Sequence, residues 1–403
     1  MNRFYNIFKY ALNQKLFSVG MMIFFFIVFD GILMYLAPIV ITDAGISASL
    51  MGLIIGSSSI AGMLFDFFLY RAFKEIHYRR MFLLMFIMAL LFPLFLFGGN
   101  AIIIYLFAMA VWGVYYDLYN IGTLDFVERT TEPVEHASNF GVLRSFEGLG
   151  YLLAPFFASV LLIFLHPGPV MFFAILIPLI ISFLFYASIA LNPIPERSKY
   201  KRIKENLFNF FQKLVFRKKI ILPIFPLLVI LFINLIDTAI WTFGPIFSEQ
   251  IGYANGILGG AFMTAFALPP ILMGWTIGAI VKKVGNIYAA QGAIIVSSIF
   301  FILVGLTTSP LFLLLLIFAA SFFLSIGIPS INAVFTKYIN SAVDRRKETE
   351  TVQDLFTNIG TTTGPIIGGY MAEYLGFANA FIALGVLGIA VAIFLFVFIP
   401  RKQ

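Results

Sequence analysis

Residues 17–41 read FSVGMMIFFFIVFDGILMYLAPIVI, twenty-five consecutive positions in which the one carboxylate is Asp30. An α-helix rises about 1.5 Å per residue, so a run this long more than covers the roughly 30 Å hydrocarbon core of a bilayer. A strand of a membrane barrel would need about half as many residues and would alternate in polarity, which this run does not. Arg3, Lys9 and Lys15 ahead of the apolar stretch give Met1 to Phe29 the outline of a signal peptide. The stretch nevertheless continues through Pro38 with no small-residue cleavage site, so it reads as a retained first helix.

Eleven more runs of similar character follow, near 47–70, 81–98, 101–124, 140–165, 169–191, 220–247, 254–281, 286–306, 310–336, 352–374 and 377–399. The expected fold class is therefore all-α integral membrane, with twelve transmembrane helices. Composition agrees. Hydrophobic residues fill 61% of 403 positions and charged residues 11%, and mean hydropathy is +1.00; soluble domains run near half apolar and a quarter charged. With no cysteine, disulfides, thiolate metal sites and cysteine nucleophiles are excluded.

With twelve spans, all 26 Lys and Arg residues fall on the side of the N-terminus, counting Arg144 just inside the fifth span. The opposite turns carry only Asp43, His166, Glu249 and Glu373 as ionisable groups. This is the positive-inside pattern, which places both termini in the cytoplasm of a plasma (inner) membrane. The net charge of +7 is thus topological, and no nucleic-acid partner is expected.

The widest interruption, 192–219, opens Asn192-Pro193-Ile194-Pro195 and holds nine cations against Glu196 and Glu205. It divides the chain into a bundle over 1–191, a cytoplasmic linker over 192–219 and a bundle over 220–403. Ile203, Leu207, Phe210, Phe211 and Leu214 recur at helical spacing in the linker, beside Lys201, Arg202, Lys204 and Lys213. That pattern fits a helix on the inner membrane surface, with a flexible charged tether as the alternative. Residues 4–12 repeat it in brief.

The two bundles read as copies. Asp30, Pro38 and Gly45 recur as Asp237, Pro245 and Gly252, each 207 positions on, and Gly150, Ala154, Pro155, Ala158 and Ser159 align with Gly360, Gly364, Pro365, Gly368 and Gly369 at an offset of 210. Two pseudo-symmetric six-helix bundles related by an axis along the membrane normal are a transporter architecture, because a solute site can lie between halves that rock around it.

These residues resemble the major facilitator superfamily, and within it the drug:proton antiporter group. The family's loop after the second helix follows Gly-x-x-x-Asp with basic residues, matched by Gly62, Asp66, Arg71, Arg79 and Arg80; the resemblance implies a cytoplasmic gate there. The counterpart after the eighth span, Gly274, Gly278, Lys282, Lys283 and Gly285, lacks the acid. The antiporter motif Gly-x-x-x-Gly-Pro-x-x-Gly-Gly is complete in the eleventh span at Gly360, Gly364, Pro365, Gly368 and Gly369, whereas the family carries it in the fifth, which here keeps a degenerate version. The family's arginine in the fourth span is replaced by Met109. Physically, small residues at every fourth position make a groove for close helix contact, and the proline permits a bend.

Ionisable groups deep in a span are costly and should face a cavity or a partner. Asp30, Asp237, Asp117 and Glu147 are such groups. Glu147 has Arg144 one turn away, and Asp117 stands among Tyr115, Tyr116, Tyr119 and Asn120. Asp30 and Asp237 have no cation nearby in sequence; a cavity role is expected, with Thr238 or Asn234 as local partners in the alternative. Tyr35, Trp112 and Trp241 lie at similar depths. Acids and aromatic rings suit a cationic or amphipathic organic solute, and an acid in a water-poor cavity can carry a proton in competition with it.

There is no HExxH, nucleophile elbow or P-loop, and His77, His136 and His166 fall between spans. No enzyme activity, catalytic residue, metal or cofactor is therefore expected. The expected function is secondary active transport of a small organic solute by alternating access, with proton-coupled efflux first, acting as a monomer. Proton-coupled uptake of a small solute, or a non-transporting receptor or scaffold, are the alternatives.

Overall fold

The computed structural model describes residues 14–72, 77–132, 134–165, 169–191, 224–255, 259–273, 285–341 and 346–398. The linker 192–219, residues 4–12 and most of the basic loop after the eighth span lie outside them. Twelve helices follow one another: α1 (Gln14–Asp43), α2 (Ala48–Ala72), α3 (Tyr78–Phe97), α4 (Ile102–Thr130), α5 (His136–Phe164), α6 (Pro169–Leu191), α7 (Ile224–Asn255), α8 (Ala261–Met273), α9 (Asn286–Leu306), α10 (Pro310–Ser341), α11 (Arg346–Leu375) and α12 (Phe377–Phe398). Ten of them are long and apolar enough to cross a membrane. The other two are α8, described over thirteen residues, and α11, whose first turns read RKETETVQD. The all-α, twelve-helix expectation holds, and each expected span finds its helix.

By packing, the chain forms two compact units, one of residues 1–44 and 61–203, the other of 45–60 and 204–403. In the first unit α1 lies along α5 and α6, and α3 along α4; in the second α7 lies along α11, and α9 along α10 and α12. The pairing of α1 with α5 thus recurs as α7 with α11, as the repeat requires. Lipid gives helices no hydrophobic reason to associate, so close contact has to come from small residues.

In the second unit a methyl group added to Gly360, Gly364 or Gly368 would meet the backbone of α7 at Leu231, Leu235 and Ala239 respectively. Gly369 instead faces Ala48 and Gly52, in the part of α2 that belongs to this unit. There the backbone N–H of Ser49 donates to Glu373 Oε2 at 2.7 Å, filling one of the unpaired donors of the first turn of α2. In the first unit the small partner has changed sides. Gly31 on α1 receives the methyl group of Ala154 on α5, and Gly150 receives Ile27.

Candidate functional site

The carboxylate of Asp30 is wholly buried in the first unit. A lone charge there would be prohibitive, and three donors surround it. Oδ1 accepts from Tyr115 Oη at 2.6 Å and from Trp112 Nε1 at 2.9 Å, and Oδ2 accepts from Tyr151 Oη at 3.0 Å. Trp112 and Tyr115 come from neighbouring faces of α4, and Trp112 is held flat against Phe92 of α3, ring centroids 5.9 Å apart at 5°. The stack fixes the indole donor in place. The indole N–H can only donate, while a tyrosine hydroxyl can turn and accept. A proton on Asp30 therefore belongs on Oδ2, where Tyr151 can reverse its hydrogen bond with no backbone movement.

Tyr151 extends the network. Its hydroxyl also lies within electrostatic reach of that of Tyr116, as Tyr119 does of Glu147. Glu147 is buried and takes both carboxylate contacts from Arg144 Nη1 at 2.6 Å, while the Arg144 side chain stays 61% exposed. Of the residues named from sequence on α4 and α5, Trp112 and Tyr115 meet Asp30, together with Tyr151. That residue escaped the sequence reading, although it stands one turn beyond Glu147 on the same face of its helix. Asp117 lies apart from the cage. Its carboxylate fills the space where Gly62 of α2 lacks a side chain, so a gate glycine and a deep acid make one packing contact. Tyr35 is fully buried.

At the junction of α2 and α3 the described ion pair joins residues other than those of the gate pattern. Asp125, 3% exposed, accepts from Arg129 Nε with both oxygens at 2.8 Å and from the Tyr78 backbone N–H at 2.7 Å, capping the first turn of α3. Arg79 places its guanidinium 5.5 Å from the Tyr78 ring centroid and donates from Nε to the Tyr78 hydroxyl at 3.2 Å. Tyr186 of α6 in turn donates to the Arg79 carbonyl at 3.0 Å. Arg80 is exposed and Asp66 half-buried, while the side chain of Arg71 lies outside the described set. Asp125 and Arg129 were legible as an i, i+4 pair, hidden by reading the fourth helix as ending at 124.

In the second unit Asp237 is half-buried and has no hydrogen-bond or ion-pair partner among the described residues. The local partners considered from sequence turn elsewhere. Thr238 Oγ1 donates to the Asn234 carbonyl at 2.7 Å, and Asn234 Nδ2 to that of Ile230 at 2.8 Å. Trp241, one turn from Asp237 on the same face, rests edge-on against Phe266 at 6.3 Å and 73°.

The profile of the Major Facilitator Superfamily matches residues 19–349. No curated protein matches the chain. Among solved structures it is similar to a bacterial homolog of the human lysosomal transporter Spinster in an inward-facing and occupied conformation, with TM-score 0.73, 13% identity and coverage of 94% of this chain and 95% of that one. It is also similar to the nucleoside transporter NupG, with TM-score 0.70, 14% identity and coverage of 95% and 98%. A POT family transporter in complex with a thioalcohol-conjugated peptide gives TM-score 0.71 at 14% identity, with 95% of each chain covered.

Proposed function

The chain belongs to the major facilitator superfamily and is a secondary transporter, and from that premise we propose that it exports small cationic or amphipathic organic solutes in exchange for protons, as the drug:proton antiporter group does. It acts as a monomer in the plasma (inner) membrane with both termini in the cytoplasm. The observation that carries this reading is the contrast between two acids at equivalent positions of the repeat. Asp30 is sealed from solvent and held by three donors that are neutral in charge. It suits a proton, which is small enough to reach it by rearranging hydroxyls. Asp237 is partly buried without a partner among the described residues, with the buried Trp241 one turn along the helix, and suits an organic cation through charge pairing.

Coupling then needs no covalent step. A state with Asp30 protonated and a state with solute at Asp237 have opposite access, and the carrier changes access with one of the two aboard. Tetraphenylphosphonium and ethidium are suitable probes. Reconstituted in liposomes with an acidic interior, the protein should concentrate either cation inside, because protons leaving drive the solute toward the acid side. Accumulation on the alkaline side would instead establish uptake by symport. That second reading is favoured by Arg144, whose exposed guanidinium offers a partner to a carboxylate-bearing solute.

A further inference from the structure

Asp30 is sealed from solvent, so a proton has to reach it through one of the groups that hold it. Two of the three lead nowhere. The Trp112 indole N–H cannot accept a proton in return for the one it donates. Tyr115 is wholly buried, with the rings of Phe26 and Phe92 against it at centroid distances of 5.8 and 5.9 Å. Both of these donors act on Oδ1. Tyr151 holds the other oxygen at 3.0 Å, carries a hydroxyl that both gives and takes protons, and is partly exposed.

Four residues before Tyr151, on the same face of α5, stands a second buried carboxylate, Glu147. It is within electrostatic reach of Tyr151 and of Asp30, and Tyr116 is within reach of Tyr151 and Glu147 alike. Glu147 meets solvent through its partner. Arg144 Nη1 lies 2.6 Å from both carboxylate oxygens, and the Arg144 side chain is 61% exposed where that of Glu147 is 9% exposed. The other helices packed on α1 bring no charge to this depth. α6 has Tyr186 as its ionisable side chain, and that hydroxyl is spent on the Arg79 carbonyl. α3 has Tyr78, Arg79 and Arg80, all in its first turn. On α4, Asp117 is placed at Gly62.

Given Asp30 as the proton-binding acid of the exchange reading, on which this rests, we propose that Glu147 and Tyr151 are its proton relay and Arg144 the gate of that relay. When the exposed Arg144 arm swings into solvent, Glu147 is left buried without its cation and takes a proton from water. That proton passes to the Tyr151 oxygen as the phenol's own proton passes to Asp30 Oδ2, so no phenolate forms. Glu147 returns to its carboxylate form and to Arg144, and the Tyr151 hydroxyl ends turned away from Asp30, accepting the new O–H bond. Release runs through the same groups in reverse.

The test follows the carboxyl itself. With the full chain in nanodiscs, a light pulse on a caged acid releases protons, and time-resolved infrared absorption at the C=O stretch of a protonated carboxyl reports the filling of Asp30; Asp30→Asn removes that band and so assigns it. The slope of the relaxation rate against proton concentration is the rate constant for protonation. Loss of a merely supporting hydrogen bond moves the midpoint pH and leaves this slope alone. Tyr151→Phe, which keeps the ring, and Glu147→Gln, which keeps the shape, should each lower the slope about tenfold, the rate equivalent of a barrier raised by about 1.4 kcal/mol. The double variant should be as slow as the singles, because both groups lie on one path. An unaltered slope in either single variant, or a double variant slowed by the product of the two effects, overturns the relay and leaves Asp30 as the proton site. A parent protein with no carboxyl band that Asp30→Asn removes overturns the exchange reading and the relay with it.

Discussion

Replacing Asp30 by asparagine swaps one oxygen for an NH₂ group and fixes the site in a neutral form. The three donors dictate how the amide sits. Its oxygen takes the place of Oδ1, where Tyr115 and the donor-only Trp112 converge, and its NH₂ takes the place of Oδ2, where the Tyr151 hydroxyl turns to accept. One hydrogen bond reverses, so the net change in stability is about 1 kcal/mol or less. Asp30→Ala, by contrast, strands the buried Tyr115 hydroxyl and two part-buried donors, at up to about 1–3 kcal/mol each, and should melt well below the parent. The asparagine variant is therefore the one that tests coupling. A pH difference of one unit is worth about 1.4 kcal/mol per proton, which at one proton per cation drives about a tenfold solute ratio. In proteoliposomes with an acidic interior, Asp30→Asn should reduce tetraphenylphosphonium accumulation from that ratio to about one. Counterflow of labelled against unlabelled cation, which needs no proton movement, should persist. Accumulation at the parental ratio with unchanged pH dependence would refute Asp30 as the coupling acid, and Glu147 would be tested next.

Gly364→Ala puts a methyl group against Thr238 and the Leu235 carbonyl of α7 and should lower the melting temperature of purified protein, whereas Gly141→Ala, with nothing within 4 Å, should not; equal melting would remove the tight α7 and α11 contact from the account. Arg129→Met leaves buried Asp125 with only the Tyr78 N–H and should cost roughly 3–5 kcal/mol, partly recovered by adding Asp125→Asn; thermal melting of the single and double variants tests this, and an unchanged single variant would count against it. For topology, cysteines at Ser47, Thr308 and Asn379 should react with an impermeant maleimide on intact cells. One at Val134, 93% exposed between α4 and α5, should react only after permeabilisation, and labelling of Val134→Cys from outside would reverse the orientation.

Lipid makes the helices legible, because a span must remain apolar for some twenty residues and satisfy its own backbone. Hydropathy marks where the lipid is, however, and a helix continues into water. α4 therefore runs to Thr130 and carries Asp125 and Arg129 beyond the span expected from sequence, α5 opens already at His136, and α10 extends to Ser341. Of the Asp30 cage, Trp112 and Tyr115 were recognisable from their depth. Tyr151 was not, because a tyrosine beside Gly148 and Gly150 reads as a packing residue until the fold sets α5 along α1. Asp117 was obscured in the opposite way. Its sequence neighbours are polar, but the contact that accommodates it is the missing side chain of Gly62, which no local pattern reveals.

The repeat offsets give this divergence a physical cause. Gly31 and Thr238 are equivalent positions, and so are Ala154 and Gly364. In the first unit the glycine is on α1 and faces an alanine; in the second it is on α11 and faces a threonine. The volume at the crossing is shared out differently, with the small residue transferred from one helix to the other. The complete glycine motif in α11 and its degenerate form in α5 thus follow from complementary packing, and the motif's position alone says little about transport direction. The same offset pairs Tyr151 with Thr361. A threonine side chain is too short to span to a neighbouring helix as the phenol does, and Thr361 donates instead to the Asn358 carbonyl of its own helix at 3.1 Å. Asp237 accordingly loses the donor that secures Oδ2 of Asp30. The two acids thus differ in reach, Asp30 buried behind three donors and Asp237 partly exposed with no partner among the described residues. A Thr361→Tyr substitution should move Asp237 toward the first condition, weakening tetraphenylphosphonium binding at that acid; undiminished affinity would mean that the missing tyrosine is not what keeps Asp237 available.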